Sequence, residues 1–265
     1  MRFFFLLFLL SISTVANANV LTKEMHYTAG GASLKGYVAF DDAISEKRPG
    51  VLIVHEWWGH NEYIRSRARM LAEIGYTAFA VDIYGDGKLA NHPKQAGEFM
   101  QAAFKNFGAT KAKFEKAVEI LQKHKTLDSN KIAAIGYCFG GEVLLRLARS
   151  GTNLSGVVAF HSALPLEPPI SKDKMTTSIF VANGSEDSFL TSDKVAKFAQ
   201  QMVDANADFT YLNLPGVKHS YTNPKADELS KKFKLPNLKY DKQADEHSWQ
   251  AMQQFFDYIF SKGKK

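Results

Sequence analysis

The chain holds one cysteine, Cys138, in 265 residues. A single thiol cannot form a disulfide within the chain, so burial alone must hold the fold. A chain of this length, 45% hydrophobic and 23% charged, can bury enough surface to do so as one large α/β domain. The eight histidines do not stand at H-x-x-x-H or H-E-x-x-H spacing, which leaves no metal-ligand cluster in the sequence and no cofactor to expect. Past the first residues no apolar run approaches ~20, the length a membrane-spanning helix needs. The formal charge is +6, but the lysines are scattered, and no basic run is denser than Lys262, Lys264 and Lys265 at the tail. Scattered cations solvate a surface or mildly steer anionic substrates; they are not a nucleic-acid footprint. Repeats, low-complexity tracts and long linkers are missing as well.

The first 18 residues read as a leader rather than as fold. Arg2 supplies a positive start, Phe3 to Leu10 an apolar stretch, and Ala16-Asn17-Ala18 a small-residue cleavage site. The expectation is a secretory signal peptide over 1–18 and a single domain over 19–265. The chain would be secreted across the membrane, most simply into the periplasm, with no stable membrane association after cleavage. A lone thiol in an oxidising compartment is open to oxidation. Either it is shielded as a small buried hydrophobe or it has work to do as a nucleophile.

Apolar runs rich in β-branched residues alternate with amphipathic stretches. Strands are expected at 34–40, 51–54, 77–81, 131–135, 156–160, 178–182 and 209–214. Helices are expected at 63–74, 93–107, 110–124, 140–149, 192–206 and 242–261. Phe114, Val118 and Leu121 fall on one helical face, as do Val195, Phe198 and Met202. This alternation predicts a mostly parallel sheet with helices on both faces, the first strand pairing antiparallel at an edge. Function in such a sheet gathers at the carboxyl ends of the strands.

Three strand ends carry chemistry. After the strand ending at Ile135 comes Gly136-Tyr137-Cys138-Phe139-Gly140-Gly141, the pattern G-x-S-x-G with cysteine in the serine position. Its glycines allow a sharp strand-to-helix turn that lifts the central residue clear of the sheet, onto a helix N-terminus whose dipole favours a thiolate. Asp187 follows the 178–182 strand, and His219 follows the 209–214 strand. The order nucleophile, acid, histidine is the one α/β-hydrolases use. His219 would serve as base and Asp187 would fix its tautomer. The backbone N–H groups of Phe139 and of Trp57, just past the 51–54 strand, are the expected oxyanion donors. Glu56, a carboxylate at that same apolar strand end, is expected near the thiol. Trp57 and Trp58 are candidate pocket walls.

These pieces resemble the dienelactone hydrolase family. The resemblance is carried by His55-Glu56-Trp57-Trp58-Gly59, Val81-Asp82-Ile83-Tyr84-Gly85, the Cys138 motif, Gly184-Ser185-Glu186-Asp187 and His219-Ser220-Tyr221, in the family's order. It implies an α/β-hydrolase fold and hydrolysis of a small-molecule lactone or ester through a Cys-His-Asp triad and an acyl-enzyme. It also implies that Glu56 contacts the resting thiol. Where the family holds a substrate carboxylate with two arginines, this chain has Asp86 and Asn223; Lys88 is the nearest remaining cation in sequence. With Trp58 and Tyr84 these residues form the expected substrate pocket, one suited to a neutral, partly apolar substrate. A thioesterase or another acyl-transfer enzyme would use the same site, and a non-catalytic binding module could retain the same scaffold.

Overall fold

Why the middle strands must be covered on both faces is visible in Thr77–Val81: every residue of this TAFAV run is buried. In the computed structural model, which describes residues 19–170 and 175–262, it is one of eight strands in a single sheet. The predicted leader and Lys264 and Lys265 lie outside the described residues. The strands are β1 (Val20–Ala29), β2 (Ala32–Asp41), β3 (Arg48–Val54), β4 (Thr77–Val81), β5 (Leu127–Tyr137), β6 (Gly156–Phe160), β7 (Ser178–Gly184) and β8 (Phe209–Leu214). Their order across the sheet is β1-β2-β4-β3-β5-β6-β7-β8. From β4 to β8 every neighbouring pair is parallel, while β2 runs antiparallel to both β1 and β4. This is the mostly parallel sheet that the alternating pattern predicts and the α/β-hydrolase architecture that the resemblance implies.

Alternation along β3 sorts the core into two layers. Leu52 and Val54 pack with α2 (Pro93–Lys105), α3 (Phe107–Gln122), α4 (Phe139–Arg149) and α5 (Ser192–Asp204), through Phe114, Leu144 and Phe198. Val51 and Ile53 face the opposite way, onto Ile64 and Leu71 of α1 (Glu62–Glu73) and Met252 and Phe256 of α7 (Lys242–Ser261). The helices begin where local chemistry starts them: the side chains of Asn61, His92, Asn106, Thr191 and Asp241 each accept a first-turn N–H.

Two elements depart from expectation. The strand expected at the edge, β2, is flanked by β1, whose largely exposed VLTKEMHYTA sets Met25 and Tyr27 half-buried against the core and pairs along its whole length with β2. The second is α6 (Ala226–Phe233), whose final turn is stopped by Lys234 in the left-handed region at φ 55°. The chain then runs as Leu235–Lys239 across the carboxyl ends of the strands. Leu238 forms a parallel bridge with His219, and the Lys239 N–H donates to the His219 carbonyl at 3.1 Å.

Candidate active site

Cys138 sits at the junction of β5 and α4 with φ 54° and ψ −115°, a strained backbone for a residue with a side chain. The turn is held by the Cys138 N–H donating to Phe160 O at 3.0 Å. Two glycines make it geometrically possible. A Cβ on Gly136 would run into the Gly140 backbone, and one on Gly140 would strike the Val54 carbonyl of the neighbouring strand end. The thiol is half-exposed.

His219, reached from β8 through Pro215–Lys218, is 5% exposed and shares a cavity of about 270 Å³ with Cys138. Its Nδ1–H donates to Asp187 Oδ2 at 2.7 Å. Asp187, 2% exposed in the turn after β7, takes a second hydrogen bond on Oδ1 from the Phe189 N–H at 3.0 Å. Its carboxylate is therefore pinned at both oxygens and fixes the imidazole in turn. Burial pulls the His219 pKa down, but attraction to Cys138 and the hydrogen bond to Asp187 outweigh it and push the pKa up to about 10. The rings of Phe189 and His161 each approach His219 edge-on at 4.9 Å.

Trp57 lines the same cavity, and Phe139 begins α4 beside it. Neither residue's backbone N–H has an acceptor among the described residues, so both are available to a bound oxygen.

Glu56 is buried at the end of β3, but its oxygens point elsewhere. Ser220 Oγ donates to Oε1 at 3.2 Å, and Asn223 Nδ2 to Oε2 at 2.7 Å. Burial raises its pKa against the opposing effect of Asn223 and His219. The contact with the thiol that the resemblance implies is absent among its hydrogen bonds, and its nearest imidazole is that of His161, Nε2 to Oε1 at 3.9 Å.

The five expected pocket residues do not border the cavity over Cys138. Asn223 is buried and committed to Glu56. Trp58 stacks on Phe233 at 5.6 Å and faces a separate groove. Tyr84 packs behind Phe139, and its hydroxyl donates to Trp57 O at 3.0 Å. Asp86 and Lys88 are exposed on a loop that Asp82 organises by accepting the N–H groups of Gly85 and Gly87, both at 2.8 Å. The same carboxylate accepts the Lys35 N–H of β2 at 3.1 Å, and the Asp86 N–H donates to Ser33 O at 2.7 Å, so the loop packs against β2.

Other side chains line the cavity: Met100 of α2, Glu142 of α4, Ala163, Phe189 and the Leu235–Leu238 segment. Glu142, one helical turn past Cys138, and Phe189, two residues past Asp187, were within reach of a sequence reading that follows each predicted catalytic residue by a turn. The Leu235–Leu238 segment had no such signal.

Residues 34–260 match the family model of the dienelactone hydrolase family. Among curated proteins, "Protein usf" of Aquifex pyrophilus is 26% identical over 211 residues, 78% of this chain and 90% of its own. Among solved structures, a dienelactone hydrolase-like promiscuous phosphotriesterase from metagenomic libraries is similar at a TM-score of 0.84 and 29% identity, covering 91% of this chain and 98% of its own. A protein described as "m3DLH" is similar at 0.86 and 32%, covering 91% and 99%.

Proposed function

The chain belongs to the dienelactone hydrolase family, and on that premise we propose that it hydrolyses a carboxylic ester or lactone through Cys138, His219 and Asp187. The observation that carries this reading is the shared cavity. A strained cysteine at a helix N-terminus and a histidine clamped by a buried aspartate open onto the same 270 Å³ space.

The chemistry follows from the geometry. The raised pKa of His219 favours the imidazolium, the partner that an attacking thiolate requires. Cys138 Sγ bonds to the acyl carbon, and the carbonyl electron pair moves to oxygen, where the Trp57 and Phe139 N–H groups stabilise it. As the tetrahedral species collapses, the C–O bond to the leaving alcohol breaks and the imidazolium gives that oxygen its proton. A lactone leaves as the tethered alcohol of its own acyl chain. His219, now neutral, takes a proton from water. The hydroxide attacks the thioester, the acid departs, and the thiolate–imidazolium pair is restored. Asp187 keeps Nδ1 protonated throughout, so that Nε2 is the atom that exchanges protons. We propose further that residues 1–18 direct export to the periplasm and are removed there.

Cys138→Ala tests the assignment. The variant should fold, because a small side chain is lost from a half-exposed site. Its kcat on a panel of neutral esters and lactones should fall by roughly four orders of magnitude. The wild type, quenched during turnover, should carry one acyl mass on the peptide containing Cys138. Near-normal turnover by the folded variant would remove Cys138 from the mechanism.

A further inference from the structure

Glu142 stands one helical turn past Cys138, its N–H donating to Cys138 O at 3.2 Å, and its side chain borders the cavity. The carboxylate is asymmetrically used. Both Arg146 donors go to Oε1, Nε at 3.0 Å and Nη2 at 2.7 Å, and Oε2 has no partner among the described residues. Arg146 is turned away over the Phe104 ring, 4.9 Å from its centroid, and does not border the cavity. The remaining wall is largely apolar, built by Trp57, Met100, Phe139, Phe189, Leu235 and Leu238. Among the described residues that lining contains no lysine or arginine.

An apolar wall lowers the local dielectric and lengthens the reach of any charge placed in it. The only charged side chain that the wall presents beyond Cys138 and His219 is Glu142, and the one cation bound to it, Arg146, holds Oε1 alone and lies outside the lining. A substrate carboxylate would lose its water on entering and meet Glu142 with no lysine or arginine in the wall to pair with. A neutral alkyl or aryl chain would find matching surface. We propose that Glu142 is a specificity-determining residue that acts as a charge filter: the site takes neutral, apolar esters or lactones and turns away those bearing a carboxylate. The proposal rests on the ester–lactone reading and adds the substrate class.

The test compares kcat/KM for two esters of equal acyl length, one chain ending in methyl and the other in carboxylate. Wild type should favour the methyl ester. Glu142→Gln removes the charge and frees Arg146, so the ratio of neutral to carboxylate ester should fall by about tenfold, mainly through KM and less so at high salt. Arg146→Gln should move the ratio the other way, which keeps the test open if either variant folds poorly. A residue that merely braced the helix would depress both esters alike and leave the ratio fixed. An unchanged ratio in folded Glu142→Gln, or a wild-type preference for the carboxylate, overturns the charge filter alone. Turnover of neither ester by the wild type overturns the ester–lactone reading, and the filter with it.

Discussion

His219 carries opposing demands on one ring. It is stripped of water, which disfavours charge, yet it is held against Asp187 and drawn toward Cys138, which favour charge and win. The folded-state pKa, about 10, stands above the free value of 6.5. Protonation therefore stabilises the fold fully below pH 6.5, and that contribution is lost as pH rises through about 10. Attraction to Cys138 is the largest of the raising influences. In Cys138→Ala the imidazole should accordingly titrate lower than in wild type, a shift that NMR of the ring protons reads directly. An unmoved titration would mean that the thiol and the imidazole are not electrostatically paired.

At the scale of elements, the site depends on how closely α4 approaches the ends of β3 and β5. Gly140 meets the Val54 and His55 carbonyls with no room for a methyl group, whereas Gly97, inside α2, has nothing within 4 Å of where its Cβ would stand. Gly140→Ala should cost about 1–3 kcal/mol by overpacking and misplace the Cys138 turn. Gly97→Ala should stabilise by roughly 0.5–1 kcal/mol, since a helix-interior glycine loses more chain entropy than alanine. Urea denaturation of both variants checks the contrast; equal effects would contradict the packing described. The elements legible in the sequence are those with strong internal pattern. The expected bounds of β4, β6, β8 and α7 match the structure, because β-branched runs and a long amphipathic helix declare themselves. β1 and α6 were illegible, because β1 is made a strand chiefly by its partner and α6 is a short, mostly exposed helix that buries only Ala226 and stacks Phe233 on Trp58. The same division holds at the site. Residues fixed by strand ends, such as Cys138, Asp187 and His219, could be placed from spacing. Of the pocket walls Trp57, at the end of β3, could be placed in the same way, whereas Leu235–Leu238 could not, because it reaches the cavity only through the path of α6.

Over the whole molecule, the described body starts fully anchored. The Asn19 N–H donates to Asp41 Oδ1 at 2.9 Å, and its carbonyl accepts from Asp42 at 2.9 Å. A cut after Ala18 would leave every described strand whole, since the first begins at Val20. The exported protein should begin Asn-Val-Leu, and a chain expressed from Asn19 should unfold at the same temperature. N-terminal sequencing of a periplasmic fraction tests this; an intact leader, or protein confined to the cytosol, would refute the export proposal. The Leu235–Lys239 segment has a different consequence, for descent with modification. It forms one wall of the cavity and is bonded to the backbone of His219 at Leu238 and Lys239. Insertions there cannot widen the cavity without displacing His219. New substrates are therefore reached more cheaply by changing Met100 or Phe189, whose side chains also line the cavity and whose replacement leaves the histidine's backbone tether in place.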